Sequence, residues 1–402
     1  MTNDSLVHSL HSHLAGWGLR QFTSDETYFQ LQREILSQAE ITALHRKVEQ
    51  KRRGSSVDEV SFYDAIADPN ILPVLYSQQY DYYLAIGPRV ADRIREARSI
   101  QSILDVGCGV GILTTFYASQ YPDRTFVGMD RSPASIARAQ EQAKVRGLTN
   151  VQFECLDLDH MPPTRSFDLV VATHVLVQAE QDPGIPSRSW NTFERGDENQ
   201  PQADFERRTG IGTRLDSLSA LLSAQGRMIV FEKTRQLSRR VPLQRALAAR
   251  DLGLIEQPEL IRYSLVEEIA DDGPFYVLGR GSSRQLHWDE SPEPDGGGLF
   301  EWANLTHGST DPDVPLYENH RPSAQRLWEE LHNKRRLKET THQEPDGRQL
   351  HVELGQADEG VYLYCANTLD QRQLVLVEPA RTVMLESYYQ EITSSALDTR
   401  EA

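Results

Sequence analysis

The feature that most constrains the fold is a glycine-rich turn that directly follows an apolar segment. Residues 102–114 read SILDVGCGVGILT, so the apolar run passes through Asp105 and then meets Gly107, Gly109 and Gly111. Glycine adopts backbone conformations that other residues avoid, and its missing side chain lets a ligand approach the main chain. The pattern therefore predicts a buried strand, a sharp turn that is open to a ligand, and a helix behind the turn.

Strand and helix signals alternate through residues 57–282. The segments TFVGMD, VQFE, FDLVVAT and RMIVFEK look like buried strands, and amphipathic helical segments separate most of them. One helix is predicted with Ser132 as its N-cap, Pro133 as its first residue and Gly147 at its end. The segments ELIRYSLVEEI and PFYVLGR are close enough for an antiparallel hairpin. Together these signals predict an α/β fold with a mainly parallel sheet and helices on both faces.

The spacing of the glycines discriminates between two classes of cofactor. In an open parallel sheet, ligands bind beyond the carboxyl ends of the strands, where the strand order reverses. A dinucleotide site has the pattern G-x-G-x-x-G, whose third glycine would fall on Ile112. Here the third glycine is Gly111, which disfavours a nicotinamide dinucleotide.

Three later landmarks follow the glycine turn in order. Asp130 ends the segment TFVGMD, 25 residues after Asp105, Asp157 lies in FECLDLDHMP, and SFDLVVATHVL begins with a Phe-Asp pair. With ILDVGCGVGIL, these segments resemble the motifs of class I S-adenosylmethionine-dependent methyltransferases across about residues 57–282. The resemblance implies a Rossmann-like, seven-stranded, mainly parallel sheet with an antiparallel last strand, and it implies S-adenosyl-L-methionine as the cofactor.

The same resemblance implies roles for individual residues. It assigns the Asp130 carboxylate to the ribose hydroxyls and Asp157 to the neighbourhood of the adenine amino group. Asp105 either orients the glycine turn through backbone N–H groups or contacts the methionine part of the cofactor. Cys108 is interpreted as a small pocket-lining residue, because no neighbour in sequence would activate its thiol. The predicted cofactor-binding residues are Asp105, Gly107, Cys108, Gly109, Gly111, Asp130, Arg131, Asp157, Leu158 and Thr173.

His174 is the predicted catalytic residue. Methyl transfer from a sulfonium is a displacement in which the enzyme mainly holds the nucleophile near the methyl carbon. A hydroxyl or amine acceptor benefits from a general base that removes its proton. His174 lies just past the fourth predicted strand, where such a base would stand. The alternative is a histidine that packs against the cofactor or caps the strand.

Two further segments are candidates for the acceptor side of the site. Tyr76, Tyr80, Tyr82 and Tyr83 cluster ahead of the glycine turn. Their ring faces would stabilise a sulfonium by cation–π interaction, or they pack into the core. The long polar segment 180–212 follows the fourth strand and is a candidate lid over an acceptor, because loops of this length in compact domains are usually functional or disordered.

Three regions are predicted along the chain. Residues 1–54 form a helical N-terminal extension whose basic end, KRR, reads as a solvated helix terminus more than as a nucleic-acid contact. Residues 55–282 form the methyltransferase domain, and DESPEPDGGG at 289–298 reads as a linker. Residues 299–402 form a small α+β accessory domain with the strands QLHVELG, GVYLYCANTL and RQLVLVEPA and the helix RTVMLESYYQEI.

Charge and cysteine content limit the partners. The formal net charge is −17, and residues 283–402 hold 11 basic against 22 acidic residues. Phosphate binding needs concentrated Lys and Arg, so no nucleic-acid partner is expected. Three widely spaced cysteines form neither a disulfide framework nor a zinc site, so we predict a cytoplasmic protein without a structural metal. No segment reads as a signal peptide or a membrane span, and the sequence leaves a homodimer open.

Three hypotheses on function follow. The leading one is a methyltransferase acting on an oxygen or nitrogen of a small-molecule or natural-product acceptor. The second is a protein or peptide methyltransferase whose acidic C-terminal domain recognises a basic partner. The third is a protein that binds S-adenosylmethionine without catalysing methyl transfer. The paired-glutamate loop and the Thr-His-Trp motif of protein arginine methyltransferases do not occur, which disfavours that subfamily.

Overall fold

The computed structural model describes residues 3–53, 56–158, 165–177, 182–196, 199–266, 268–281, 286–293 and 315–398. The chain divides into two compact units, each built from three stretches. Unit 1 comprises Met1–Asp182, Ala203–Arg235 and Leu243–Trp288, and unit 2 comprises Pro183–Gln202, Gln236–Pro242 and Asp289–Ala402. The domain boundaries expected at residues 54 and 282 stay predictions.

Unit 1 is built around an eight-stranded sheet. Its strands are β1 Ser102–Val106, β2 Thr125–Asp130, β3 Val151–Cys155, β4 Phe167–Thr173, β5 Leu222–Phe231, β6 Leu252–Leu254, β7 Glu259–Leu265 and β8 Glu268–Arg280. The strand order is β3-β2-β1-β4-β5-β8-β6, and β7 also pairs with β8. The first five strands in that order run parallel, whereas β8 is antiparallel to β5, β6 and β7.

The predicted α/β class with a mainly parallel sheet is confirmed. The sheet has eight strands and not seven, because β6 contributes a strand of only three residues, too short to show a period in the sequence. The expected antiparallel hairpin is present, with Leu265 of β7 opposite Glu268 of β8.

Eleven α-helices lie in the part of the chain before residue 249 that the structure describes. They are α1 Asn3–Ala15, α2 Asp25–Ile35, α3 Gln38–Arg53, α4 Ser56–Ile66, α5 Leu72–Leu75, α6 Tyr80–Glu96, α7 Ile112–Gln120, α8 Pro133–Val145, α9 Asn199–Thr209, α10 Ile211–Leu221 and α11 Leu237–Ala248. The helical N-terminal segment is therefore confirmed. Among the described residues, no helix has the length and apolar character that a bilayer span requires.

Local sequence explains where these helices begin and which core they share. Helix α8 starts at Pro133 as predicted, and the Ser132 hydroxyl accepts the backbone N–H of Ser135 at 3.1 Å. In α1, the fully buried Leu6 and Leu10 pack in the same hydrophobic core as Phe116 of α7. The N-terminal helices are thus part of the packed body of unit 1.

The strand order places a crevice at the centre of the sheet. From β1 the chain proceeds outward to β2 and β3, and it then returns to β4 on the opposite side of β1. The order therefore reverses between β1 and β4, and their carboxyl ends open a crevice of the kind that binds ligands in α/β proteins. The glycine turn follows β1, and His174 follows β4 directly.

Unit 2 is an α+β structure with a five-stranded antiparallel sheet. Its elements are β9 Tyr317–Asn319, α12 Ser323–Glu330, β10 Arg335–Gln343, β11 Gln349–Ala357, β12 Gly360–Asn367, β13 Arg372–Val377 and α13 Thr382–Asp398, and the strand order is β10-β11-β12-β13-β9. The three predicted strands and the closing helix are confirmed. The edge strand β10 was missed because RRLKETTHQ is exposed along most of its length and has no apolar alternation.

Residues 183–196 belong to unit 2. The Ser187 N–H donates to the Thr368 carbonyl at 2.8 Å, and the Trp190 ring stacks on His351 with the centroids 3.6 Å apart. Arg195 forms an ion pair with Asp370. The role of this segment as an acceptor lid stays a prediction, and residues 294–298 of the predicted linker lie outside the described residues.

Candidate functional site

The glycine turn after β1 is held in left-handed conformations. The φ angles of Gly107, Gly109 and Gly111 are 68°, 53° and 81°. A Cβ on Gly107 would stand 2.1 Å from Val175 Cγ1, and one on Gly111 would stand 2.9 Å from Phe153. At Gly109 the nearest atom to such a Cβ would be the Tyr76 hydroxyl at 3.8 Å. Gly107 and Gly111 are therefore packing positions, whereas Gly109 leaves the main chain open to a ligand.

Asp130 at the end of β2 connects two turns. Its Oδ2 accepts the Gly109 N–H at 3.0 Å, and its Oδ1 accepts the Ser132 N–H at 2.8 Å. Burial raises the pKa of the Asp130 carboxyl, and these two hydrogen bonds oppose that shift. The carboxylate is thus held in place at the mouth of the glycine turn.

Asp105 lies inside β1 and is buried. The Thr114 hydroxyl of α7 donates to its Oδ2 at 2.5 Å, and no N–H of the glycine turn bonds to it among the described residues. The expectation that Asp105 orients the turn through backbone N–H groups is therefore wrong, because the carboxylate is directed to the first turn of α7. Burial raises the pKa of Asp105 to about 7.

Arg131, which follows β2, and Asp157 and Leu158, which follow β3, lie near Asp130 in the site. Arg131 Nη2 forms an ion pair with Glu59 Oε2 at 2.5 Å. Asp157 contributes to the electrostatic environment of the same guanidinium, and the adjoining Leu158 is buried. For Cys108, burial raises the pKa of the thiol, which favours the protonated, unreactive form.

His174 has an unusual backbone and a defined partner. Its φ angle is 57°, which is rare for a residue with a side chain. The backbone is held by the His174 N–H, which donates to the Phe231 carbonyl at 2.9 Å. The Tyr82 ring stacks on the imidazole with the centroids 5.1 Å apart. Strained residues of this kind cluster at functional sites, where surrounding contacts hold them.

The Nε2 atom of His174 lies 2.8 Å from Oδ2 of Asp272. The Tyr263 hydroxyl donates to the same carboxylate oxygen. Burial favours a raised pKa for Asp272, but the hydrogen bond and charge of His174 hold the pKa of this carboxyl below its ordinary value. Because the Asp272 carboxylate lies beside Nε2, Nδ1 is the ring nitrogen that is left to accept a proton from an acceptor.

Glu232 holds the segment after His174, and sequence reasoning missed it. This fully buried side chain follows β5, and its Oε1 accepts the N–H groups of Val175 and Leu176, each at 2.8 Å. Its Oε2 accepts the Val177 N–H at 3.2 Å. Burial raises the pKa of the Glu232 carboxyl, while the charge of His174 and the three N–H groups lower it. An acid directly after the apolar strand RMIVF was the available signal.

These groups converge on one cavity of about 610 Å³ in unit 1. Every predicted site residue except Gly111 lies in its wall, including Thr173, whose Oγ1 accepts the Tyr82 hydroxyl at 2.9 Å. Tyr76, Tyr82 and Tyr83 are buried and also line the cavity, whereas Tyr80 contacts His11. A ligand cavity with acids, a glycine turn and a paired histidine at a strand-order reversal defines a cofactor-binding α/β domain.

Similarity to known proteins indicates which kind of cofactor-binding α/β domain this is. Residues 103–186 match a family described as a methyltransferase domain. Malonyl-[acyl-carrier protein] O-methyltransferase of Acetivibrio thermocellus is 30% identical over 26% of this chain and 39% of its own length. Trans-aconitate 2-methyltransferase of Deinococcus radiodurans is 31% identical over 25% of this chain and 36% of its own length. The chain therefore spans less than half the length of these curated relatives.

A solved structure is similar to part of this chain. Magnesium protoporphyrin IX methyltransferase from Synechocystis is 16% identical, with a TM-score of 0.35 over 50% of this chain and 83% of its own. The family match, the relatives and the order of the landmarks agree for the region around the cavity. Residues 103–186 therefore carry a methyltransferase domain, in agreement with the class I S-adenosylmethionine-dependent type predicted from the sequence.

Proposed function

We propose that this protein binds S-adenosylmethionine in the cavity of unit 1 and transfers its methyl group to an oxygen or nitrogen of a small-molecule acceptor. The observation that carries the proposal is that the open glycine turn, Asp130 and His174 line one cavity in a domain matched by the methyltransferase family, with Asp272 paired to His174 behind the wall. Two relatives bear the names of an O-methyltransferase and of a trans-aconitate methyltransferase, which favours an oxygen of a small acid as the acceptor atom.

The cavity wall fits this cofactor. Gly109 presents bare main chain to the cavity, so a ligand can lie against the turn. Both oxygens of Asp130 already accept one N–H each, which fixes the carboxylate and leaves lone pairs for ribose hydroxyls. Asp157 and Leu158 line the same cavity, and in this proposal they bind the adenine end of the cofactor. When bound, the cofactor supplies an activated methyl group, so the protein has mainly to position the acceptor.

In this proposal His174 is the general base. Nδ1 accepts the proton of the acceptor hydroxyl or amine as the acceptor atom forms its bond to the methyl carbon. The Asp272 carboxylate, 2.8 Å from Nε2, stabilises the imidazolium that results. Tyr82 and Phe231 hold the imidazole plane, because their ring centroids lie 5.1 and 5.3 Å from it. Asp272, Tyr82 and Phe231 are positioning residues.

Calorimetry tests the cofactor directly. We expect the purified protein to bind S-adenosylhomocysteine, the demethylated product, and to bind NAD⁺ at least a hundredfold more weakly. Asp130→Ala removes hydrogen bonds to a charged group, so binding of S-adenosylhomocysteine should weaken by about 1.5–3 kcal/mol, or about 10- to 150-fold. The matched control is Asp123→Ala, whose carboxylate is 71% exposed.

Two outcomes contradict the proposal. The first is tight NAD⁺ binding without any response to S-adenosylhomocysteine. The second is an unchanged affinity for S-adenosylhomocysteine in Asp130→Ala, which would remove this residue from the site. Since Asp130 also holds the glycine turn, the melting temperature of the variant is measured alongside, and Asp130→Asn, which keeps one acceptor oxygen, separates loss of the turn from loss of the charge.

A further inference from the structure

Helices α2, α3 and α4 form part of the cavity wall and bring to it both apolar side chains and the polar Gln32, His45, Lys51 and Glu59. The apolar side chains include Phe29, Ile41, Leu44, Val60, Phe62 and Ile66. Ile41, Leu44 and Ile66 are each less than 9% exposed, so they form a packed surface. A ligand that lies against these apolar side chains buries apolar area, which stabilises its binding.

Cations stand at the His174 end of the same cavity. Lys233 directly follows the buried Glu232, is exposed, and makes no hydrogen bond to any described residue. Its charge also acts on Asp272, the partner of His174, which places the ammonium close to the predicted base. The Arg214 Nη1 group donates to the Leu176 carbonyl at 3.1 Å, and the other side-chain N–H groups of Arg214, which lines the cavity, bond to no described residue.

The carboxylates near these cations are already engaged. Glu232 is fully buried beneath three backbone N–H groups, and Asp272 is shared by His174 and Tyr263. Neither acid is part of the cavity wall. The acids that do line the wall, among the described residues, are Glu59, Asp105, Asp130 and Asp157. Asp105 lies inside β1, Asp130 ends β2, Asp157 follows β3, and Glu59 pairs with Arg131. The charged groups that face the cavity at the His174 end are therefore the cationic donors Lys233 and Arg214.

We infer that the methyl acceptor is an apolar molecule that bears an oxyanion, and that Lys233 and Arg214 bind this oxyanion beside His174. The inference rests on the proposed function and specifies its substrate class. A charge-assisted hydrogen bond to an ammonium or guanidinium is about twice as strong as a neutral one. A cationic amine in the same place would meet two like charges, so the site discriminates against it.

Three phenols of similar shape but different charge test whether the site prefers an anionic ligand. Protein saturated with S-adenosylhomocysteine is titrated by calorimetry with 4-hydroxyphenylacetate, with the neutral 4-hydroxyphenethyl alcohol and with the cationic 4-hydroxyphenethylamine. We expect the anion to bind about tenfold or more tightly than the alcohol, with the amine weakest. Because exposed charges are screened by salt, the difference should shrink when the ionic strength is raised.

Substitutions of Lys233 and Arg214 test whether these two residues cause the preference for the anionic phenol. Lys233→Gln and Arg214→Gln should each reduce the preference for the anion about tenfold and leave the alcohol's affinity unchanged. Lys144→Gln is the matched control, since this exposed lysine of α8 does not line the cavity. Lys233 makes no hydrogen bond or ion pair to a described residue, so its variant stays informative even if Arg214→Gln disturbs the segment at Leu176.

The results that would overturn this inference differ from the result that would contradict the proposed function. Equal or tighter binding of the alcohol or the amine overturns the inference, as does an unchanged preference in Lys233→Gln. Binding of S-adenosylhomocysteine without binding of any of the three phenols also overturns it and leaves the proposed function standing. Failure of S-adenosylhomocysteine itself to bind contradicts the proposed function and removes the basis of this inference.

Discussion

Glu232→Ala tests how the segment after β4 is held. The carboxylate accepts the N–H groups of Val175 and Leu176 at 2.8 Å and of Val177 at 3.2 Å, and it is fully buried. A buried donor left without an acceptor costs about 1–3 kcal/mol. Leu176 is fully buried, whereas the two valines are half-buried and gain partial access to water. We therefore expect the free energy of unfolding to fall by about 3–5 kcal/mol.

Glu232→Gln and Glu96→Ala serve as comparisons for the expected fall in the free energy of unfolding. The glutamine keeps the size of the side chain and one acceptor oxygen, but its NH₂ group faces N–H donors, so an intermediate loss of about 1–3 kcal/mol is expected. Glu96 is an exposed residue at the end of α6, and its replacement by alanine should change the stability by less than about 0.5 kcal/mol.

Urea unfolding, followed by circular dichroism and by tryptophan fluorescence, provides the free energies. Coincident transitions from the two probes are needed before a single free energy is assigned to a chain with two units. Since Val175 packs where a Cβ on Gly107 would lie, we also expect the affinity of Glu232→Ala for S-adenosylhomocysteine to fall. A stability within about 0.5 kcal/mol of the parent protein would refute the reasoning, because the three donors would then not depend on this carboxylate.

Three further outcomes are expected. His174→Ala should lower turnover about 100-fold or more with nearly unchanged affinity for S-adenosylhomocysteine, and a loss of that affinity alone would support the packing role. Asp105 has its pKa raised by burial to about 7, so the native state keeps a proton that the unfolded chain, with its pKa of 3.8, releases. The stability contributed by this proton is complete below about pH 4 and is lost as the pH rises through about 7, with a slope approaching about 1.4 kcal/mol per pH unit, and Asp105→Asn should flatten the measured profile. Truncation after Gly281 deprives Trp190 of its stacking partner His351, so the truncated chain should melt at a lower temperature than the full chain, and an unchanged melting temperature would contradict this.

The sequence predicted those parts of the site whose residues lie close together in the chain or at the end of a recognisable strand. The turn at Gly107 and Gly109, the acid Asp130 at a strand end and His174 after the next central strand all follow from local patterns. Gly111 fits the same pattern, but it packs against Phe153 and does not line the cavity, a difference that depends on what β3 places beside it.

The missed residues depend on partners that are distant in sequence. Glu232 bonds to the Val175 N–H across 57 residues, and the pairing of Asp272 with His174 requires β8 to lie against β5. The two residues of each pair are too far apart in the chain for a short sequence pattern to include both. Strand β10 was missed for another reason, since an edge strand with few buried side chains carries no hydrophobic period.

The division of unit 2 into three stretches has a consequence for biosynthesis. Ser187 bonds to Thr368, which is 181 residues later in the chain. At a translation rate of roughly 5–20 residues per second, the earlier stretch waits roughly 10–40 s for its partner to leave the ribosome. During that interval Trp190 has no His351 to stack on, and Arg195 has no Asp370. The segment that interrupts unit 1 between β4 and β5 is therefore the part of the nascent chain most dependent on protection from misassembly until the last strands emerge.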